Sequence, residues 1–173
     1  MTAVIDLGPV RADAPARLPT HKDLPETDGT HVINFQEQPQ TGLFTGCVAP
    51  VLCELFPDGQ YLVGSDNGIY WLITDPPLRG CKSPDWFLVV GVPPMLDGEV
   101  RRSYVLWQEH VSPLLVMEYV SGDGSEERDR TPETGKFWVY ERGIKARYYA
   151  ILDGFRGTLE LYRRAGEAFV AVP

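Results

Sequence analysis

The stretch LLVMEYV, residues 114–120, constrains the fold more than any other part of the chain. Its nearly unbroken apolar run has the length of a strand. A strand that is apolar on both alternating faces has to be covered on both, which places it inside a sheet. One residue interrupts the run. On a strand Glu118 shares a face with Val116 and Val120, whereas Leu115, Met117 and Tyr119 point the other way. A buried, unpaired carboxylate is costly or becomes neutral, so Glu118 needs a cation, a hydrogen-bond donor or access to solvent. Two readings meet that need. The strand lies at an edge or pairs Glu118 with a nearby Arg or Lys, or the carboxylate does chemistry.

The remaining sequence surrounds this strand with others. Apolar residues recur at near-helical spacing from Leu43 to Leu55, giving a first helix despite Pro50, and PDG at 57–59 ends it. QYLVGS, GIYWLIT and WFLVVGV read as strands separated by Gly, Pro and Asp. RSYVLWQE reads as a partly alternating strand leading through a short loop into PLLVMEYV. After the polar segment SGDGSEERDR, Thr131, Pro132 and Glu133 mark a helix start and Gly143 its end. RYYAILD, GTLELYRR and AFVAVP read as three closing strands, the last two joined as a hairpin through Ala165 and Gly166. The pattern predicts an α/β (α+β) domain with a mixed central β-sheet flanked by helices. At 173 residues the chain makes one domain, 21–173, preceded by an arm over 1–20 that is rich in Pro, Ala and charge and is read as flexible or loosely docked.

Composition excludes several classes. No apolar run spans a bilayer, and the acidic N-terminus lacks the features of a secretory signal, so a cytoplasmic protein is expected. Cys47, Cys53 and Cys81 lack paired spacing and read as buried small hydrophobes; His21, His31 and His110 form no ligand motif. The net charge of −8 argues against strong non-specific DNA binding, yet a local basic surface or metal-bearing carboxylates can offset it at a site.

A second carboxylate bears on Glu118. In KSPDWFLVVG, Asp85 stands at the mouth of the buried strand 86–90. It is either part of a structural Ser-Pro-Asp turn or, with the two strands side by side, converges on Glu118. Converging carboxylates are what a hard divalent cation requires. The order SPDWFLVV, then SYVLWQEHVSPLLVMEYVS, then GKFWVYERGIKARYYAILD resembles the Uma-two family of the PD-(D/E)XK restriction-endonuclease-like superfamily. LPETDG and LVGSDNGIYW upstream are similar to its segments too, so the resemblance covers residues 24–173.

The resemblance implies a restriction-endonuclease-like core and a nuclease that uses Mg2+ or Mn2+ to hydrolyse DNA phosphodiesters. Asp85 and Glu118 match the family's metal-binding acids, and the Tyr119 backbone carbonyl a further ligand. The superfamily's lysine two positions after the acid is replaced here by Val120. The resemblance assigns its role to Lys136 on the following helix, a position whose plain reading is a solvated helix residue beside core Phe137 and Tyr140. Glu37 matches an additional acid on the first helix, with Glu54 as the alternative. DNA is the expected partner and a homodimer an allowed assembly. The competing expectation is a nuclease-fold protein without catalysis that binds nucleic acid or protein. Arg101, Arg102, Arg142, Lys145 and Arg147 can either meet phosphates or serve as ordinary surface charge.

Overall fold

The apolar run is an inner strand. In a computed structural model describing residues 17–25 and 37–173, Leu115–Tyr119 forms a strand flanked on both edges by others. The chain runs through α1 (Glu37–Leu55), β1 (Tyr61–Gly64), β2 (Ile69–Tyr70), a 3-10 turn (Pro77–Gly80), β3 (Cys81–Lys82), β4 (Trp86–Val90) and β5 (Tyr104–Val105). It continues through α2 (Leu106–Glu109), β6 (Leu115–Tyr119), α3 (Lys136–Trp138) with a π turn (Val139–Gly143), β7 (Tyr148–Asp153), β8 (Thr158–Ala165) and β9 (Ala168–Val172). Six strands build the central sheet in the order β1-β4-β6-β7-β8-β9. Its neighbours are antiparallel except β6 and β7, so the sheet is mixed and the fold α+β. A small sheet, β3-β2-β5, stands beside it.

Strand alternation sorts the core into two layers. Trp86, Leu88, Met117 and Tyr119 meet Phe44, Val48 and Leu52, which recur every four residues on α1. Thr45 Oγ1 accepts from Trp86 Nε1 at 3.0 Å, and the Phe44 ring meets Trp86 edge-on at 4.8 Å, fixing the helix over β4. On the other face Phe87, Val89, Val116, Tyr149 and Ile151 pack against Phe137, Tyr140 and Ile144 from α3 and the segment after it. Each layer is closed by helical structure, which is why residues 114–120 are apolar on both faces.

Some expectations change. RSYVLWQE is not a strand of the central sheet. Only Tyr104 and Val105 pair, in the small sheet, and the chain then coils into α2, capped by His110 at φ 59°. The cause is tertiary: Arg101 and Glu109 form a buried ion pair, and Tyr104 donates its hydroxyl hydrogen to the Val111 carbonyl, so the ends of the segment are folded together. GIYWLIT likewise contributes only Ile69 and Tyr70. The helix expected from Thr131 begins at Lys136, because Glu133 adopts φ 66° and residues 132–134 form a turn. Cys47 and Cys53 are exposed on the outer side of α1, and only Cys81 is buried as expected.

The closing hairpin follows its sequence signal. Ala165 faces Ala168 across Gly166 and Glu167, and Gly166 takes the φ of 64° that a tight two-residue turn demands. Residues 1–16 of the N-terminal arm, most of LPETDG and His31 lie outside the described residues. The packed chain begins before Thr20: Pro19 accepts a hydrogen bond from Trp107 Nε1, and buried His21 accepts one from the Arg102 N–H. Among the described residues no helix is long and apolar enough to cross a membrane.

Candidate functional site

Register brings the two carboxylates together. Trp86 pairs with Met117 in the antiparallel β4–β6 ladder, so Asp85, one residue earlier, stands opposite Glu118, one residue later. Both follow the same pleat onto the face covered by α3. Asp85 Oδ2 accepts the Tyr119 N–H, which ties the mouth of β4 to the end of β6. The N–H and C=O of a strand residue point toward the same neighbouring strand, so the Tyr119 carbonyl also faces the Asp85 side. Its side chain lies on the opposite face, where the hydroxyl accepts from Thr41 at 3.2 Å.

Glu118 has no solvent exposure. Lys136 Nζ donates to its Oε2 at 2.8 Å, and the Tyr140 hydroxyl donates to Oε1. Lys136 and Tyr140 are one helical turn apart, so the segment Lys136–Gly143 presents both donors to one carboxylate. The late start of α3 sets this position. The carbonyl of Asp129 accepts from the Phe137 N–H at 3.0 Å, and Gly135 packs so tightly there that a Cβ would lie 2.4 Å from that oxygen. Only glycine permits the approach that delivers Lys136 to Glu118.

Lys136 serves more than one carboxylate. Glu126 Oε1 lies 3.3 Å and Glu127 Oε1 3.8 Å from its Nζ. Glu127 is completely buried, its Oε1 accepting from the Ser121 hydroxyl at 2.9 Å and from the Ser121 N–H at 3.3 Å. Its Oε2 is buried without a hydrogen-bond partner. The site therefore carries more carboxylate than cation. Burial, and next the charge of Asp85, push Glu118 up to about 8, against the opposing pull of Lys136 and Tyr140. Burial by itself would lower the lysine pKa. The charge and hydrogen bond of Glu118, with Glu126 and Asp85, outweigh it and hold Lys136 above the ordinary lysine value. Burial and the Glu118 charge keep the Tyr140 hydroxyl protonated well above the usual tyrosine range.

Of the residues expected from sequence, Asp85, Glu118, Tyr119 and Lys136 meet here. Glu37 is the first residue of α1, and its side chain lies outside the described part of the structure. The alternative, Glu54, does not join. It is exposed on the last turn of α1, about 20 Å along the axis from Thr41, the helix residue that hydrogen-bonds Tyr119. Arg101 is committed to Glu109 and to the Pro93 and Pro94 carbonyls, and Arg142 pairs with Glu141, so neither is a free phosphate ligand. Sequence reasoning missed the roles of Tyr140 and Glu127. The spacing of Lys136 and Tyr140 carried a signal for the first. Nothing marks Glu127, one acid among many in a polar stretch.

The donor chemistry fits a magnesium-like cation. Such an ion takes oxygen ligands, accepts one or two carboxylates and retains several waters. Asp85, Glu118 and the Tyr119 carbonyl are oxygen donors of that kind. Each Glu118 oxygen keeps a second lone pair after accepting its hydrogen bond. Among the described residues no group of three or more His, Cys, Asp or Glu side chains is arranged to hold a metal. Compared with known proteins, the chain matches no family model and no curated sequence.

Proposed function

We propose that the protein is a metal-dependent nuclease that hydrolyses DNA phosphodiester bonds on a restriction-endonuclease-like core, as the resemblance to the Uma-two family implies. One observation carries this reading: Asp85 and Glu118 face each other across adjacent strands, with the Lys136 ammonium 2.8 Å from Glu118. The resemblance puts the lysine absent at Val120 on the next helix, and the 2.8 Å contact of Lys136 Nζ with Glu118 Oε2 supports that reading. Mg2+ or Mn2+, when bound, supplies electrophilic stabilisation of phosphate oxygens and a more acidic water. Asp85, Glu118 and the Tyr119 carbonyl are the groups that would hold the ion. Tyr140 and Lys136 fix the rotamer of Glu118. Lys136, kept protonated by its acidic surroundings, stabilises negative charge developing on the phosphate and does not act as a base.

A second reading is a nuclease-fold protein that binds nucleic acid or a partner without cleaving. The enclosure of Glu118, with both oxygens already accepting hydrogen bonds, favours it. Cleavage of single- and double-stranded DNA in Mg2+ or Mn2+ separates the two. For the nuclease, Asp85→Ala and Glu118→Gln each lower cleavage by roughly a hundredfold or more while leaving the fold intact. Equal processing by wild type and both variants refutes catalysis at this site. Absence of cleavage with either metal, together with no metal binding by calorimetry, leaves the binding module.

A further inference from the structure

The opposite ends of the same strands carry a different cluster. Beyond the start of β6 and the end of β4, an open cleft of about 380 Å³ is lined by Lys145, Arg147 and Arg164 together with Ser112, Val90 and Leu114. Arg147 and Arg164 are direct cross-strand neighbours: Tyr148 pairs with Arg163 in the antiparallel β7–β8 ladder, and the Arg164 N–H donates to the Arg147 carbonyl at 2.9 Å. Like charges directly opposite one another on a sheet destabilise it. Among the described residues no acidic side chain forms an ion pair with any of these three cations, and none lines the cleft. This occurs in a chain of net charge −8.

Arg164 is held in place rather than neutralised. Its Nη atoms donate to the Glu141 and Gly166 carbonyls, and its Nε is buried with no partner. Burial lowers its pKa from the ordinary arginine value, against the opposing charges of Glu167 and Glu141, and the guanidinium stays charged with neither acid in an ion pair with it. A tetrahedral oxyanion matches two guanidinium groups, an ammonium and a hydroxyl. The volume lies at the lower end of small-molecule sites, larger than a bare phosphate needs, and Val90 and Leu114 offer an apolar surface for a ligand body.

We propose that this cleft binds a phosphate monoester of about mononucleotide size, with its phosphate on Lys145, Arg147 and Arg164. The assignment is independent of nuclease activity, since it involves the other ends of the strands. The test uses the full chain in EDTA, which removes metal-dependent binding at the carboxylates. Adenosine 5′-monophosphate, inorganic phosphate and adenosine are titrated, with amide chemical shifts giving location and calorimetry giving affinity. The monophosphate is expected to shift the amides of Ser112, Lys145 and Arg147 and to bind more tightly than inorganic phosphate, while adenosine shifts none of them. Arg147→Glu and Lys145→Gln, both at exposed positions and each checked by thermal unfolding, are expected to weaken monophosphate binding by about tenfold or more. Equal affinity for inorganic phosphate overturns the monoester assignment. Shifts by adenosine equal to those by its monophosphate, unchanged binding in both folded variants, or no shift with millimolar monophosphate overturns the site itself.

Discussion

The two ends of the central sheet handle charge in opposite ways. At one end Asp85, Glu118 and Glu127 are wholly or partly enclosed, and Lys136, Tyr140, Ser121 and the Tyr119 N–H meet their oxygens, Glu127 Oε2 excepted. At the other, Lys145 and Arg147 are exposed, and Arg164 bonds only to carbonyl oxygens. Burial explains the contrast for Lys145 and Arg147, while the half-buried Arg164, its Nε enclosed without a partner, stands between the two cases. A charge removed from water needs a partner of defined geometry, whereas an exposed one is solvated and screened and can remain unpaired until a ligand arrives. The acidic end should therefore be tied to stability and the basic end should not.

The largest expected effect is at Glu118. Glu118→Ala leaves the Tyr140 hydroxyl without its partner and the Lys136 ammonium with only Glu126 and Glu127, and should cost about 3 kcal/mol in urea unfolding. A cost under about 1 kcal/mol would mean that water enters the site and that the contrast is false. Next comes pH. The folded pKa of Glu118, about 8, lies above the ordinary value of 4.5. Between these values the folded state holds this proton more tightly than the unfolded state. The group's stabilising contribution is thus complete below about pH 4.5 and is lost as pH rises through about 8. Lys136, raised above its ordinary value, keeps its contribution throughout that window and loses it only in more alkaline solution. Urea unfolding of wild type in EDTA should weaken from pH 5 to pH 8, and Glu118→Gln should flatten the decline. An equal decline in that variant would assign the slope to another group.

A smaller loss is expected for Tyr140→Phe, which removes one donor from Glu118 and leaves the ring. It should cost about 1–3 kcal/mol, read from the urea midpoint. Arg147→Glu is the smallest, with a change within about 0.5 kcal/mol. A cost as large as that of Tyr140→Phe would make the basic end a structural element and remove the distinction.

How far these features could be read from sequence depends on how local their causes are. The β6 strand and the faces of its residues follow from an apolar run with period two, and the β8–β9 hairpin from a glycine between two strand patterns. Phe44, Val48 and Leu52 lie among the helical repeats of α1, but so do Leu43, Val51 and Leu55, which are exposed. Periodicity identified the helix and left open which stripe was buried. RSYVLWQE has strand-like composition, yet the Arg101–Glu109 ion pair folds it back. The start of α3 depends on Gly135 fitting against Asp129, a contact that no helix-start rule describes.

The sequence by itself determined that residues 114–120 are covered on both faces, that a carboxylate sits among them, and that Asp85 opens another buried strand. Those conclusions need only the alternation of side chains along a strand and the cost of burying charge. Tertiary structure decided that β4 lies beside β6 in the register that sets Asp85 against Glu118, that Lys136 and Tyr140 reach the carboxylate, and that Arg147 faces Arg164 at the far end. Each of these joins residues well separated along the chain. Their approach is set by the packing of whole strands and helices, while sequence patterns report only what neighbouring residues prefer.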